Sequence, residues 1–159
     1  SSSPRAGNIK CGQYDFPITR IRVSAGYEDI ELRFLRFRLN GTASTDSIFK
    51  YSLTESGNLV GEGVFSSVFD DRGKKVSEYR TASTTLAQQL VIPKDGQKII
   101  TVNAHLTRDN PITPCEVGKT IAIDYDAYFE AVGLASGTRI PISTHNSRRT
   151  STNRHTLTK

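Results

Sequence analysis

The chain has 159 residues with no Met and no Trp, and 36% of them are hydrophobic. This length suits one domain with its own core, and the low hydrophobic share favours a thin two-sheet sandwich over a large helical bundle. No run approaches the roughly 20 apolar residues that a membrane helix needs. The start at Ser1-Ser2-Ser3-Pro4 predicts a processed N-terminus.

The formal net charge of +5 is distributed unevenly along the chain. Bases exceed acids in residues 1–22 and 139–159, whereas acids exceed bases in residues 23–138. Basic ends on an acidic body predict a homo-oligomer or polymer, in which the ends of one copy meet the body of another. The same pattern predicts attraction to a polyanionic surface such as a wall polymer, lipid headgroups or nucleic acid.

Alternating hydrophobic residues predict the strands of the first half. The pattern begins at Ile21 and Val23 and continues over residues 30–39, where its phase shifts by one position at Phe34 and Leu35. Such a shift is typical of a β-bulge or of a strand that crosses between sheets. Shorter candidate strands lie at 48–53, 59–61, 64–69 and 76–81, with a predicted hairpin turn at 70–73.

The second half continues the same alternation. Its candidate strands lie at 86–92, 99–107, 121–129 and 139–142, separated by segments rich in Pro, Asp, Asn and Gly. Strands that recur every 8–12 residues with such turns are typical of a sandwich or barrel. We therefore predict an all-β fold, an immunoglobulin-like or jelly-roll-like β-sandwich with extended N- and C-terminal tails.

The ends of the chain differ from the body and divide it into three parts. We predict an extended arm at 1–18, the sandwich at 19–142 and a basic tail at 143–159. Composition alone leaves such tails disordered in a lone monomer, so a neighbouring subunit is expected to order them. Added as a strand to a neighbour's sheet edge, the assembly arm would insert the side chains of Ile9, Tyr14, Phe16 and Ile18.

Cys11 and Cys115 are the only two cysteines and lie more than 100 positions apart. That spacing does not suit a zinc knuckle, which needs close cysteine pairs and further ligands. We predict one disulfide, with two unrelated buried thiols as the alternative. A disulfide favours an extracellular or cell-surface location.

The sequence predicts no catalytic residue, no cofactor and no metal, so the protein is not expected to be an enzyme. None of the common hydrolase, phosphate-loop, zinc-protease or dinucleotide motifs is present. His105 is predicted on an exposed strand face without a neighbouring acid or nucleophile. Asp124 and Asp126 alternate on one strand and offer oxygen ligands to a hard cation, but a solvated strand face is the preferred interpretation.

Two surface features suggest modification or binding. Asn40-Gly41-Thr42 is an N-glycosylation sequon, and Asn-Gly is equally a good turn. The basic tail would neutralise a polyanion, yet it lacks the aromatic residues on which bases stack. Nucleic acid is therefore less favoured than another polyanionic surface as the partner of the tail. The cations of the tail are Arg148, Arg149, Arg154 and Lys159.

Parts of the body resemble immunoglobulin-like modules of bacterial and archaeal cell-surface proteins. The similar segments are 29–41, with its L-x-F-x-L-x-G strand, 50–61, ending in Gly-Asn-Leu-Val-Gly, 90–104, with Pro-x-x-Gly before a long strand, and 131–138. The resemblance spans about residues 20–142. It implies a surface-exposed sandwich that serves as a spacer, layer or filament subunit and has no catalytic residues. One module with two cysteines and two basic tails favours a self-contained subunit over a spacer.

We therefore predict a structural subunit of an extracellular assembly, a filament, pilus or surface layer, that self-associates through its terminal arms and sheet edges. One alternative is a carbohydrate- or cell-wall-binding module, which would need Tyr27, Tyr79 and Tyr128 on one face. Another is a virion coat protein with basic arms.

Overall fold

The computed structural model describes residues 6–143 and 154–159, with the side chains of all but 87–89, 127 and 139–143. This part of the chain forms twelve strands and a 3-10 turn at Thr45–Ser47. The strands are β1 (Asn8–Lys10), β2 (Phe16–Ser24), β3 (Ile30–Asn40), β4 (Ile48–Glu55), β5 (Asn58–Gly63), β6 (Ser66–Phe69), β7 (Lys75–Tyr79), β8 (Thr81–Ile92), β9 (Gln97–Leu106), β10 (Thr120–Gly133), β11 (Arg139–Ser143) and β12 (His155–Thr158).

Most strands belong to two sheets. The first has the order β1-β12-β10-β3-β8, with β11 also paired to β10, and the second has the order β2-β9-β4-β5. Strands β6 and β7 form a separate two-stranded sheet. If β6, β7, β11 and β12 are set aside, consecutive strands alternate between the sheets except at the β4–β5 hairpin, which is the strand order of a jelly roll. The predicted all-β sandwich is confirmed, and its connectivity is the jelly-roll one.

The core lies between the inward faces of the two sheets. Because successive side chains of a strand point to opposite faces, the alternation seen in the sequence becomes burial of every second residue. In β9, Ile100, Val102, Ala104 and Leu106 are all fully buried. Burying one such aliphatic side chain contributes about 1.5–3 kcal/mol relative to leaving it exposed.

The predicted phase shift in the 30–39 segment is a β-bulge. The pairing of β3 with β8 changes register between Leu32 and Phe34, one position before the predicted shift. The bulge leaves Leu32 and Leu35 in the core and turns Phe34 outward, where its ring meets the edge of Tyr128 with centroids 5.5 Å apart. The hydrophobic phase change therefore has the predicted cause.

The strands run between two ends of the sandwich. We call the end that carries loops 11–15 and 107–119 the disulfide pole, and the end that carries loop 25–29 and turn 134–138 the cup pole. Strand β10 has 14 residues and connects the two. At about 3.3 Å per residue the poles lie roughly 45 Å apart.

Where they are described, both predicted tails contribute strands to the sandwich: residues 8–10 and 155–158 lie in the first sheet, and residues 16–18 begin β2 of the second. β1 and β12 pair in parallel, with Ile9 opposite Leu157, and β12 also pairs with the start of β10. The side chains of Ile9 and Leu157 are almost completely buried. The two ends therefore complete the chain's own sheet, because their apolar residues gain more from this core than from water. The described parts of the predicted arms at 1–18 and 143–159 therefore include strands of the sandwich.

Candidate interaction surface

The β6–β7 hairpin leaves the sandwich between β5 and β8, and its turn follows from local sequence. The Asp70 carboxylate accepts hydrogen bonds from the backbone N–H groups of Arg72 and Lys74, both at 2.9 Å. Gly73 supplies the left-handed conformation, with φ of +77°. The turn predicted at 70–73 is confirmed.

Polar bonds attach the inner side of the hairpin to the sandwich. Glu78 lies at the centre and accepts hydrogen bonds from the Thr45 N–H at 3.2 Å and from Arg80 at 2.8 Å. Lys75 forms ion pairs with both Glu78 and Asp46, the latter at 3.0 Å. Burial raises the pKa of Glu78, but these bonds outweigh it and hold that pKa below its usual value. The Glu78–Lys75 pair is therefore charged at neutral pH.

Arg80 joins the hairpin to the loop that follows β3. Its guanidinium donates to three backbone carbonyls, those of Leu39 at 3.1 Å, Ala43 at 3.0 Å and Gly41 at 3.2 Å. A rigid planar group with five donors suits such a divergent set of acceptors. The hairpin is thus attached by hydrogen bonds and ion pairs rather than by a buried apolar face.

The outer side of the hairpin is apolar. Phe69, Val76 and Tyr79 are each more than half exposed, as is Val64 just before β6. Within the described residues, β6 and β7 pair only with each other, so both outer edges carry unpaired backbone groups. Apolar side chains on open strand edges are typical of a surface that accepts another strand. We call this surface the hairpin edge.

The outer face of the first sheet carries a paired set of charges. Arg36 Nε and Arg38 Nε lie 2.8 and 3.4 Å from the carboxylate of Asp126, and the Asn40 amide donates to Asp124. Both aspartates are buried, so the solvated face expected there is wrong. The guanidinium groups already neutralise this site. No group of three or more metal-ligating side chains occurs in the part of the chain that the structure describes.

Asn40, the predicted glycosylation residue, lies at the end of β3 opposite Ala122 rather than in a free turn. Its amide is hydrogen-bonded to Asp124. The sequon hydroxyl of Thr42 accepts the Thr120 N–H at 2.9 Å. Both polar groups of the sequon are therefore used inside the sheet, and glycosylation remains a prediction without structural support.

His105 lies on the outer face of the second sheet but is only 7% exposed, which corrects the prediction of a solvated side chain. Its Nε2 lies 3.2 Å from Ser52 Oγ and also 3.2 Å from Asp15 Oδ1. A Ser–His–Asp relay requires the acid on the other ring nitrogen. Since both groups approach one nitrogen, the cluster has the geometry of a tie between loop 11–15 and the sheet.

The predicted disulfide is confirmed. Cys11 and Cys115 are bonded, with 6.0 Å between their Cα atoms, and the bond joins the end of β1 to loop 107–119. The Cys11 N–H donates to the Thr158 carbonyl at 2.9 Å, so the bond also braces the end of β12.

The predicted assembly arm is part of the domain instead of a free segment. Ile9 and Ile18 are almost completely buried, and Phe16 packs against the same core. Only Tyr14 is more than half exposed, and its ring tilts over His105 at 5.7 Å. Of the four side chains named for insertion, only Tyr14 thus remains available to a neighbour's sheet.

The four cations of the predicted basic tail are only partly described. Lys159 lies 3.5 Å from Asp109, and Arg154 is exposed just before β12. Arg148 and Arg149 lie outside the described residues. The two described cations therefore flank β12, a strand of the first sheet.

The three tyrosines named for carbohydrate binding do not share a face. Tyr27 is 98% exposed in loop 25–29 at the cup pole, whereas Tyr79 is the last residue of the hairpin strand β7. Tyr128 is half-buried beneath the guanidinium of Arg36, whose carbon lies 4.8 Å from the ring centroid. The aromatic platform that this alternative requires is not formed by these residues.

Comparison with known proteins finds no matching family model, no matching curated protein and no matching solved structure. Among the described residues, no helix is long and apolar enough to cross a membrane. The assignment of function therefore depends on the surface itself.

Proposed function

We propose that this protein is a structural subunit of an extracellular assembly, a filament, pilus or surface layer, and that it self-associates through sheet edges. The observation that carries the proposal is the hairpin edge. Single exposed apolar residues are ordinary on protein surfaces, but Phe69, Val76 and Tyr79 are three exposed apolar residues on two strands that, among the described residues, pair only with each other. The disulfide supports an oxidising, extracellular setting.

Association through the hairpin edge uses groups that this surface leaves available. The backbone groups of β6 or β7 pair with the same strand of a second copy, and the sheet becomes four-stranded. The exposed rings and Val76 then lose contact with water, which supplies about 25 cal/mol per Å² of apolar surface. The polar anchors at Glu78 and Arg80 hold the hairpin in place before the partner arrives, so little ordering entropy opposes the contact.

A charge on the hairpin edge tests this proposal. Val76→Lys places an ammonium group on the open strand, as natural proteins do to prevent edge pairing. We expect the unmodified protein to form oligomers in light scattering and negative-stain imaging, and the variant to form markedly smaller ones at the same concentration. Leu59→Lys is the matched control, since Leu59 is half-exposed on β5, outside the hairpin. Assembly of Val76→Lys equal to that of the unmodified chain contradicts the proposal.

A second candidate is a virion coat protein, which the jelly-roll strand order favours. Viral capsid domains use this fold, although a fold alone does not determine function. The exposed Arg154 and Lys159 are the described cations of the basic arm that such a protein would use. Purified assemblies that carry nuclease-sensitive nucleic-acid absorbance would support this candidate, and nucleic-acid-free filaments or layers would exclude it.

A further inference from the structure

The cup pole contains a small apolar hollow of about 220 Å³, enclosed by loop 25–29 and turn 134–138. Its floor is formed by Ala25, Ile30, Phe129 and Ala131. Phe129 is half-buried and the other three are buried, so the floor is part of the sandwich core exposed at one end. We call this hollow the cup.

The rim of the cup carries one carboxylate and one exposed ring. Glu28 accepts hydrogen bonds from Ser136 Oγ at 2.8 Å and from the Ser136 N–H at 3.3 Å. Its carboxylate lies directly over Gly133, where any Cβ would collide with it. Tyr27 stands beside it, almost fully exposed. Among the described residues that line the cup there is no Lys or Arg.

An exposed aliphatic side chain lies at the opposite pole. Ile112 is 93% exposed in loop 107–119. The loop is braced, because Asn110 Oδ1 accepts the N–H groups of Ile112 at 2.9 Å and Thr113 at 2.8 Å. The disulfide at Cys115 fixes the same loop to β1. Ile112 is therefore held in place before any contact, and a contact that it makes costs little ordering entropy. We call it the knob.

The surroundings of the knob carry the charge opposite to that of the cup rim. Lys10 and Arg108 are exposed and line one hollow beside the loop together with a single acid, Asp109. The acids of the loop are occupied: Asp109 accepts the Cys115 N–H at 2.8 Å and lies near Lys159. Glu116 accepts the hydroxyl groups of Ser44 and Ser47 at 2.6 and 2.5 Å. The knob thus presents cations where the cup presents a carboxylate.

We propose that the knob of one copy inserts into the cup of the next, with Arg108 beside Glu28 and Ile112 against the apolar floor. The occupant is a second copy of this chain, because shape and charge at its two poles complement each other. Two different patches at opposite poles meet, so the contact is heterologous and each copy keeps one free patch for the next copy. It propagates copies end to end with a repeat of roughly 45 Å.

This inference rests on the proposed self-association and goes beyond it. Pairing of two equivalent hairpin edges joins the same patch on both copies and ends at a dimer. The knob and cup supply a directional contact that continues. Together the two contacts join dimers into a filament or a layer.

Cross-linking of mixed single-cysteine chains tests the contact. One chain carries Ile112→Cys and the other Tyr27→Cys. The native cysteines are bonded to each other, so a short bis-maleimide reacts only with the new thiols. We expect a covalent heterodimer on denaturing gels from the mixture and at least tenfold less dimer from either chain alone. Leu59→Cys in place of Tyr27→Cys is the matched control and should give no heterodimer above background.

Exchange of the paired charges sharpens the same assay. Glu28→Arg in the Tyr27→Cys chain should lower the heterodimer yield several-fold, and Arg108→Glu in its Ile112→Cys partner should restore it. A misfolded variant would not be rescued by a change on the other chain.

The two proposals fail in different ways. Oligomers of the unmodified chain without any mixed heterodimer overturn the knob-and-cup contact and leave the hairpin edge intact. A heterodimer yield that does not respond to either charge change overturns the Arg108–Glu28 pairing. Unmodified chains that stay monomeric and give no heterodimer overturn both the contact and the proposed self-association.

Discussion

The C-terminal strand β12, which pairs with β1, and the β6–β7 hairpin are both additions to the eight-stranded jelly roll, yet the apolar residues of the chain ends and of the hairpin face opposite ways. Ile9 and Leu157 point into the core, whereas Phe69 and Val76 point away from it. The ends are held by burial and a disulfide, and the hairpin is held by Glu78, Arg80 and their polar partners. An addition attached by apolar burial completes the domain, and one attached by polar bonds leaves its apolar side available to a partner.

The largest expected effect is loss of the disulfide that fixes the chain ends. In the chain-entropy model, closing a loop of about 100 residues stabilises a protein by about 4–5 kcal/mol. We expect Cys11→Ser with Cys115→Ser to lower the free energy of unfolding in urea by about that amount. Reductant should destabilise the unmodified protein equally and leave the double variant unchanged. Equal urea midpoints for both proteins would show that the ends are held without the bond.

Removal of one buried side chain from β12 comes next. Leu157 is completely buried, and Leu→Ala changes at such sites cost about 2–5 kcal/mol. We expect Leu157→Ala to lower the free energy of unfolding within that range. The control, Leu59→Ala on the half-exposed side of β5, should cost less than about 1 kcal/mol. Equal losses in the two variants would mean that β12 is not part of the core.

The hairpin anchor should respond to pH through Glu78. Its pKa in the folded protein lies below the ordinary value of 4.5, so its stabilising effect is complete above that value. The effect is lost as the pH falls from there through the folded pKa. Hydrogen bonds to a charged group contribute about 1.5–3 kcal/mol, and amide hydrogen exchange in β6 and β7 should accelerate accordingly. In Glu78→Gln, amide exchange in β6 and β7 should be fast and should depend little on pH. If the pH profile of exchange is the same as in the unmodified protein, another group causes the effect.

The smallest effect on stability is expected on the hairpin edge itself. Val76→Thr keeps the shape of an exposed side chain, so the free energy of unfolding should change by less than about 0.5 kcal/mol. The same change makes the edge more polar and should shift the oligomer population in light scattering towards monomer. A loss comparable to that of Leu157→Ala would show that Val76 is buried in the lone subunit.

Alternation alone located most strands, because successive side chains of a strand point to opposite faces and every second residue is therefore hydrophobic. It placed the bulge of β3 within one position of Arg33 and the turn of the hairpin at Asp70 to Gly73. The disulfide followed from the presence of two cysteines and no others. The strands, the bulge and the turn depend on local sequence pattern, and the disulfide depends on two cysteines that have no other cysteine to pair with.

The remainder depended on partners far away in sequence. Nothing in His155–Thr158 indicates that this short polar strand lies between β1 and β10. His105 and Asp126 read as exposed because they alternate with core residues, yet Asp15 and Arg36 cover them from distant segments. The hairpin edge was missed because its apolar residues, which alternation would place in the core, are exposed. Its polar residues Ser67 and Glu78 face inward to bond with Thr45, which inverts the usual rule.

The sequence by itself determined the strand positions, the bulge, the hairpin turn and the disulfide. It did so because periodicity reports which side chains share a face of a strand. Only the tertiary structure decided which way each strand face points and which residues cover it. The covering residues come from segments that can be almost the whole chain length away in sequence. The outward hairpin, the inward chain ends and the knob and cup at opposite poles all belong to this second class.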